Sequence, residues 1–256
     1  MAQYQLSTLI KEFADAQKNL SNFSPNQKDA ALREAIGLAH ADMSRHADGH
    51  TPAIKDASVN WLSDYFKASN TNPFSSSNFD VWHEEACNKY CRYMKNQKFK
   101  GFKMTVGRAQ KVINMTFKYL YCTAAYRGDF KNIADKLHMA LDKYTLKWYK
   151  DKLVKYGQKG AVPEWSKIDK YQDYKNIKKA IFDYFQNNSS DYQHDNGKSL
   201  PPFLAEFIIW KKEQISEDLG VFNKILNDLP NNKWAIGQST INSLKQDLIN
   251  IEKQLQ

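Results

Sequence analysis

Residues 105–122, TVGRAQKVINMTFKYLYC, decide the fold class. Val106, Ala109, Ile113, Phe117 and Leu120 fall three or four residues apart, the spacing that lines one face of an α-helix and predicts a buried stripe. Arg108, Lys111, Asn114 and Lys118 repeat at the same spacing on another face. Taken as a solvent-facing row, the cations track phosphates and Asn114 reads or orients a base edge.

Outward from this stretch the same periodicity recurs between sparse, clustered Gly and Pro. It predicts helices over Tyr4–Leu20, from a Ser24 cap and Pro25 to about Ala47, and over Ile54–Ala68, where Val59, Leu62 and Phe66 share a face. Asn78 or Asp80 caps the next, which ends near Lys95, and the basic, aromatic-bearing connection 96–104 (NQKFKGFKM) leads into the helix from Thr105 to about Ala125. Further helices are expected over Asp142–Tyr156, Asp169–Phe185, Pro202–Glu217 and Gln238–Leu255. Residues 69–78 and 187–198 read as loops, and no alternating run of strand length occurs. The expectation is an all-α, multi-helix globular protein, either one domain or two helical lobes. A main domain would cover residues 1–190, with a C-terminal helical region, 191–256, packed on it.

Charge is unevenly spread. Between Arg92 and Lys159, 17 Lys and Arg stand against four acids, so this basic central segment carries +13 and the rest of the 256-residue chain −4. Such asymmetry points to a polyanionic partner. The helix expected from Asp142 repeats the two-faced pattern: Leu146, Tyr149, Leu153 and Tyr156 form an apolar stripe, and Lys143, Lys147 and Lys150 a basic one. Tyr144 and Trp148 add aromatic area on which an unpaired base can stack, although Trp148 taken alone reads as core. Asp142, with Thr145 three residues on, reads as the N-cap of that helix. No stretch approaches the roughly 20 apolar residues that span a bilayer. No basic-then-apolar leader is visible, and three cysteines make no disulfide framework. A cytoplasmic protein that binds nucleic acid, DNA foremost, is the expectation.

The run VGRAQKVINMTFKYLY followed by ALDKYTLKW resembles the catalytic stretch of the helix-hairpin-helix DNA glycosylases, with the archaeal 8-oxoguanine glycosylase branch nearest in layout. The resemblance covers about residues 100–148 and implies a helix-hairpin-helix glycosylase-like centre. Carried over residue by residue, it implies that Lys111 is the lysine nucleophile and Asp142 the conserved aspartate. The chain departs from the family in three places: the glycine-rich hairpin is reduced to Val106-Gly107 with Gly101 upstream, Ala140 stands where the family has proline, and there is no iron–sulfur cysteine cluster.

Two other constellations compete. Arg45-His46-Ala47-Asp48-Gly49-His50 resembles the Arg-polar-x-x-x-His signature of HEPN-type ribonucleases, which would make Arg45 and His50 catalytic on RNA. The dipole also favours Arg and His at a helix end, and Gly49 suits its terminus. His83, Cys87 and Cys91 share one helix face, but structural zinc sites draw ligands from more than one element, so a buried stripe is the expectation and no metal is assigned. No phosphate-binding glycine loop occurs, and no cofactor is expected.

Overall fold

The computed structural model describes residues 5–17, 20–45, 51–68, 71–75, 78–154, 163–188, 190–194, 196–228 and 238–255. Among them the chain is all-α, with helices α1 (Leu6–Asp15), α2 (Lys28–Ser44), α3 (Pro52–Lys67), α4 (Phe79–Asn96), α5 (Val106–Tyr121), α6 (Lys143–Tyr149), α7 (Tyr171–Asn187), α8 (Pro202–Asp228) and α9 (Gln238–Leu255). Within these residues no helix is long and apolar enough to cross a membrane. One hydrophobic core runs from Leu6 on α1 to Ile209 on α8. The first turns of α8 therefore share the core of the N-terminal helices, while its later residues Val221, Phe222 and Ile225 are exposed.

Helix α5 is the hub, packed by α2, α4 and α7. Its expected apolar stripe is buried, and so is every other residue from Val106 to Leu120 except Arg108. Thr105 caps it by accepting the Arg108 N–H at 3.2 Å, and donates its own hydroxyl to the Ser166 carbonyl at 2.8 Å. This pins a single 3₁₀ turn, Trp165–Lys167, across the start of the helix. Gly107 permits the approach: its N–H donates to the Ile168 carbonyl at 2.9 Å, and a β-carbon at residue 107 would collide with the Trp165 carbonyl. The connection from α4 to α5 turns through two left-handed residues, Lys98 and Gly101.

Some helix boundaries differ from expectation. Helix α2 starts at Lys28, because the Ser24 N–H and hydroxyl both donate to Gln27 Oε1, at 2.9 and 2.8 Å, and close a turn instead of capping. Asn78, rather than Asp80, caps α4. Helix α6 is only seven residues long and passes into a π-helical turn, Lys150–Val154. Helix α8 runs on past Glu217 to Asp228.

Two glycine substitutions should separate close approach from helix propensity. Gly107→Ala should lower the unfolding free energy by about 3 kcal/mol through overpacking. Gly220→Ala, where the added β-carbon meets nothing, should raise it by up to about 1 kcal/mol. Denaturant titration checks both, and equal effects would contradict the Gly107 contact.

Candidate active site

Asp142 is delivered by residues 138–141, an irregular strap with neither helix nor strand to satisfy its backbone. Side chains do so instead. Gln110 Nε2 donates to the Leu141 carbonyl at 2.8 Å, and Gln110 Oε1 accepts the Leu141 N–H at 3.1 Å. Glu206 of α8 accepts the Ala140 N–H at 2.8 Å, Thr145 donates to the Ala140 carbonyl at 2.7 Å, and Asn114 reaches the Met139 carbonyl at 3.4 Å. The strap ends in a capping box: Asp142 Oδ1 accepts the Tyr144 and Thr145 N–H groups at 2.9 and 3.0 Å, and Thr145 Oγ1 accepts the Asp142 N–H at 2.8 Å. Oδ2 takes no part in the cap.

Lys111 lies on α5 one residue beyond Gln110. Only 6% of it is exposed, and its Nζ sits 4.5 Å from the centre of the Trp165 ring. Burial holds its amine below the ordinary lysine range. The Asp142 charge opposes that shift and Arg45 reinforces it. Among the described residues the Lys111 amine has the Trp165 ring as its neighbour and no hydrogen-bonded or ion-paired partner.

Lys111 and Asp142 line one cleft of about 290 Å³. Phe13, Tyr119, Tyr144 and Trp210 give it aromatic walls, and Gln17, Gln214, Asp42 and Arg45 add polar groups. Phe13 stacks on Tyr119 with ring centres 5.2 Å apart, and Tyr144 meets Trp210 edge-on at 5.3 Å. Asp42 bridges the Tyr119 hydroxyl, which donates to it, and the Arg45 guanidinium.

The other residues singled out in the sequence fare differently. The solvent-facing row on α5 is corrected: Asn114 is buried in hydrogen bonds, and Lys118 is buried against Glu206 at 2.9 Å among the rings of Phe13, Phe207 and Trp210. Neither can reach a phosphate or a base edge. Arg108 donates to the Lys103 carbonyl at 2.6 Å and lies over Phe102. On α6 the basic stripe is exposed but partly neutralised, with Lys143 paired to Glu217 and Lys147 to Glu213 at 2.6 Å, while Lys150 is exposed on the π-helical turn. Trp148 is core, 3% exposed, and donates to the Tyr192 hydroxyl at 2.8 Å; it lies apart from the cleft of Lys111 and Asp142. Tyr144 does line the cleft. Arg45 stands at the cleft rim beside Lys111, and His50 lies outside the described residues. His83 commits both ring nitrogens to hydrogen bonds, and burial pushes the Cys87 thiol well above its usual range, which disfavours the thiolate that a metal needs.

Behind the strap runs a buried polar chain. One donor order satisfies it throughout: Tyr171 hydroxyl to His83 Nδ1 at 2.8 Å, His83 Nε2 to Asn114 Oδ1 at 2.9 Å, Asn114 Nδ2 to the Tyr174 hydroxyl at 3.1 Å, that hydroxyl to His138 Nδ1 at 3.0 Å, and His138 Nε2 to Asp80 at 2.6 Å. Desolvation is the main cause that holds both histidines below the ordinary range. The nearby His138 ring, which would repel a proton on its neighbour, adds to it at His83, and the Asp80 hydrogen bond opposes it at His138.

Sequence reasoning missed Gln110, Glu206 and three of the four aromatic walls, Phe13, Tyr119 and Trp210. It marks Thr145 as the cap partner of Asp142, but not its hold on the Ala140 carbonyl. The one signal was the row Gln110, Asn114 and Lys118, four residues apart, too polar for a buried helix unless something polar covers it. No family model, curated protein or solved structure matches the chain.

The buried histidines fix a pH dependence. Their folded values are lowered, so the unfolded chain binds protons first as pH falls, and stability drops below the unfolded value of about 6.5. Each should remove up to about 1.4 kcal/mol per pH unit there, above the range where carboxylates titrate. Urea titrations at pH 7 and 5.5 measure this, and equal midpoints would contradict neutral buried histidines.

Proposed function

We propose that the protein binds nucleic acid, DNA foremost, and excises a base, with Lys111 as nucleophile and Asp142 as the anion facing the sugar. The observation that carries this reading is the meeting of a desolvated, unpaired lysine amine and a carboxylate in one aromatic-walled cleft. Burial that lowers an amine's proton affinity leaves more of it as the free base, the form that attacks carbon. A volume of about 290 Å³ lies at the lower end of ligand-pocket sizes and suits one extruded nucleotide, not a duplex.

In this mechanism the Lys111 Nζ lone pair forms a bond to C1′ of the extruded nucleotide. The glycosidic bond breaks, and the base leaves with its electron pair and takes up a proton. Asp142 opposes the positive charge that builds on the sugar as that bond lengthens. Opening of the sugar ring, with a proton moving to its oxygen, then leaves an imine between Nζ and C1′. Tyr144, Trp210, Phe13 and Tyr119 offer ring faces and edges to the base, and Arg45 adds a cation at the rim. A purely phosphate-gripping module would rest on free surface cations. Burial of Lys118 and the pairing of Lys143 and Lys147 weaken that alternative.

Borohydride should trap the wild-type protein on DNA carrying the substrate base, and Lys111→Gln should abolish trapping while DNA is still bound. Asp142→Asn should slow base release about 100-fold at little cost in stability, since Asn also caps a helix. Undiminished trapping by Lys111→Gln would refute the assignment.

A further inference from the structure

We infer that Gln110 is a positioning residue, which sets where Asp142 stands relative to Lys111. This rests on the base-excision reading and names a residue that acts through Asp142, not on substrate. Its carboxamide is wholly buried and fully used. Nε2 donates to the Gly107 carbonyl at 2.9 Å and the Leu141 carbonyl at 2.8 Å, and Oε1 accepts from Leu141 N at 3.1 Å and Asn114 Nδ2 at 3.0 Å. The Leu141 peptide groups are thereby paired as a neighbouring strand would pair them. Leu141 is the residue immediately before Asp142.

The consequence follows from adjacency on one helix. Gln110 grips the strap, and Lys111, the next residue, presents the amine. A single turn of α5 therefore holds both members of the pair, Lys111 directly and Asp142 through the strap, while the α6 cap sets the carboxylate's orientation. Glu206 and Thr145 hold the same strap at Ala140, one residue earlier. Gln110 is the contact nearest Asp142 that comes from the helix carrying Lys111. Removing it frees the strap end while the amine stays where it is.

Gln110→Met, which keeps length but offers no hydrogen bonds, tests this by separating two reactions. Release of a base requires Asp142, whereas condensation of Lys111 with the aldehyde of a preformed abasic site needs no charge stabilisation as a base departs. The variant should release base about 100-fold more slowly, the scale of a misplaced catalytic group, with DNA affinity and abasic-site trapping close to wild type. Hydrogen exchange without DNA gives the independent readout: the amides of Leu141, Tyr144 and Thr145 should exchange faster, and those of the α5 core should not. Where Gln110→Met fails to fold, Gln110→Asn, which stays neutral and polar but is one methylene too short to bracket the Leu141 peptide groups, should show the same split. Equal loss of both reactions, or loss of neither, overturns the inference. A wild type that traps at no abasic site refutes the base-excision reading itself, and unchanged exchange at Leu141 then also removes Gln110 as the strap's anchor.

Discussion

A helix buried on nearly every side must find partners for the polar groups it carries, and α5 carries five such residues, Gln110, Lys111, Asn114, Thr116 and Lys118, of which all but Lys111 are hydrogen-bonded. Thr116 turns back to its own helix, donating to the Val112 carbonyl at 2.7 Å. Gln110 and Asn114 take the strap 138–141, whose backbone has equal need of partners. Lys118 takes Glu206, and the second oxygen of Glu206 takes the strap's Ala140 N–H. Polar helix and irregular strap thus satisfy one another, and α8 is drawn in by the ion pair. Burial pushes the Glu206 carboxyl upward, while the Lys118 charge holds it down. Breaking such a pair from one side costs about 3–5 kcal/mol, because the other charge is left uncompensated.

That arrangement explains why two lysines on one helix, seven residues apart, have different fates. Lys118 has a carboxylate at 2.9 Å and three aromatic rings around its ammonium, so it is a structural cation. Lys111 is almost as buried, yet it meets one ring face and opens on a cleft. Burial without an ion pair weakens an amine's hold on its proton, and perturbed groups in clefts are where chemistry concentrates. Asp142 serves local structure and cleft at once: Oδ1 closes the α6 cap, and the carboxylate as a whole lines the cavity.

The all-α class, the centrality of residues 105–122, and Asp142 as a cap were legible in the sequence, since each depends on local spacing: three or four residues for a stripe, Asp-x-x-Thr for a cap. The environment of α5's second face was not legible. Periodicity says which residues share a face, not what covers it, and the covering strap lies about 30 positions further along the chain. The charge count overstated how many cations stand unpaired, for a related reason. Part of the acidic remainder folds back onto the basic segment, Glu217 on Lys143 and Glu213 on Lys147, and no window along the chain contains both partners. Arg45 entered as half of a ribonuclease-like hexapeptide. Its place at the rim of the Lys111 cleft depends on α2 packing against α5, a tertiary fact.

The titration of the Lys111 amine, resolved from the other lysines by side-chain NMR or competitive labelling across a pH series, tests the juxtaposition of Lys111 and Asp142 most directly and needs no substrate. In the wild type it should titrate below the ordinary lysine value of about 10.4. In Asp142→Asn, which retains the cap but removes the charge that raises it, it should titrate lower still. An amine that titrates with the exposed lysines, and is unmoved by Asp142→Asn, would contradict the shared site.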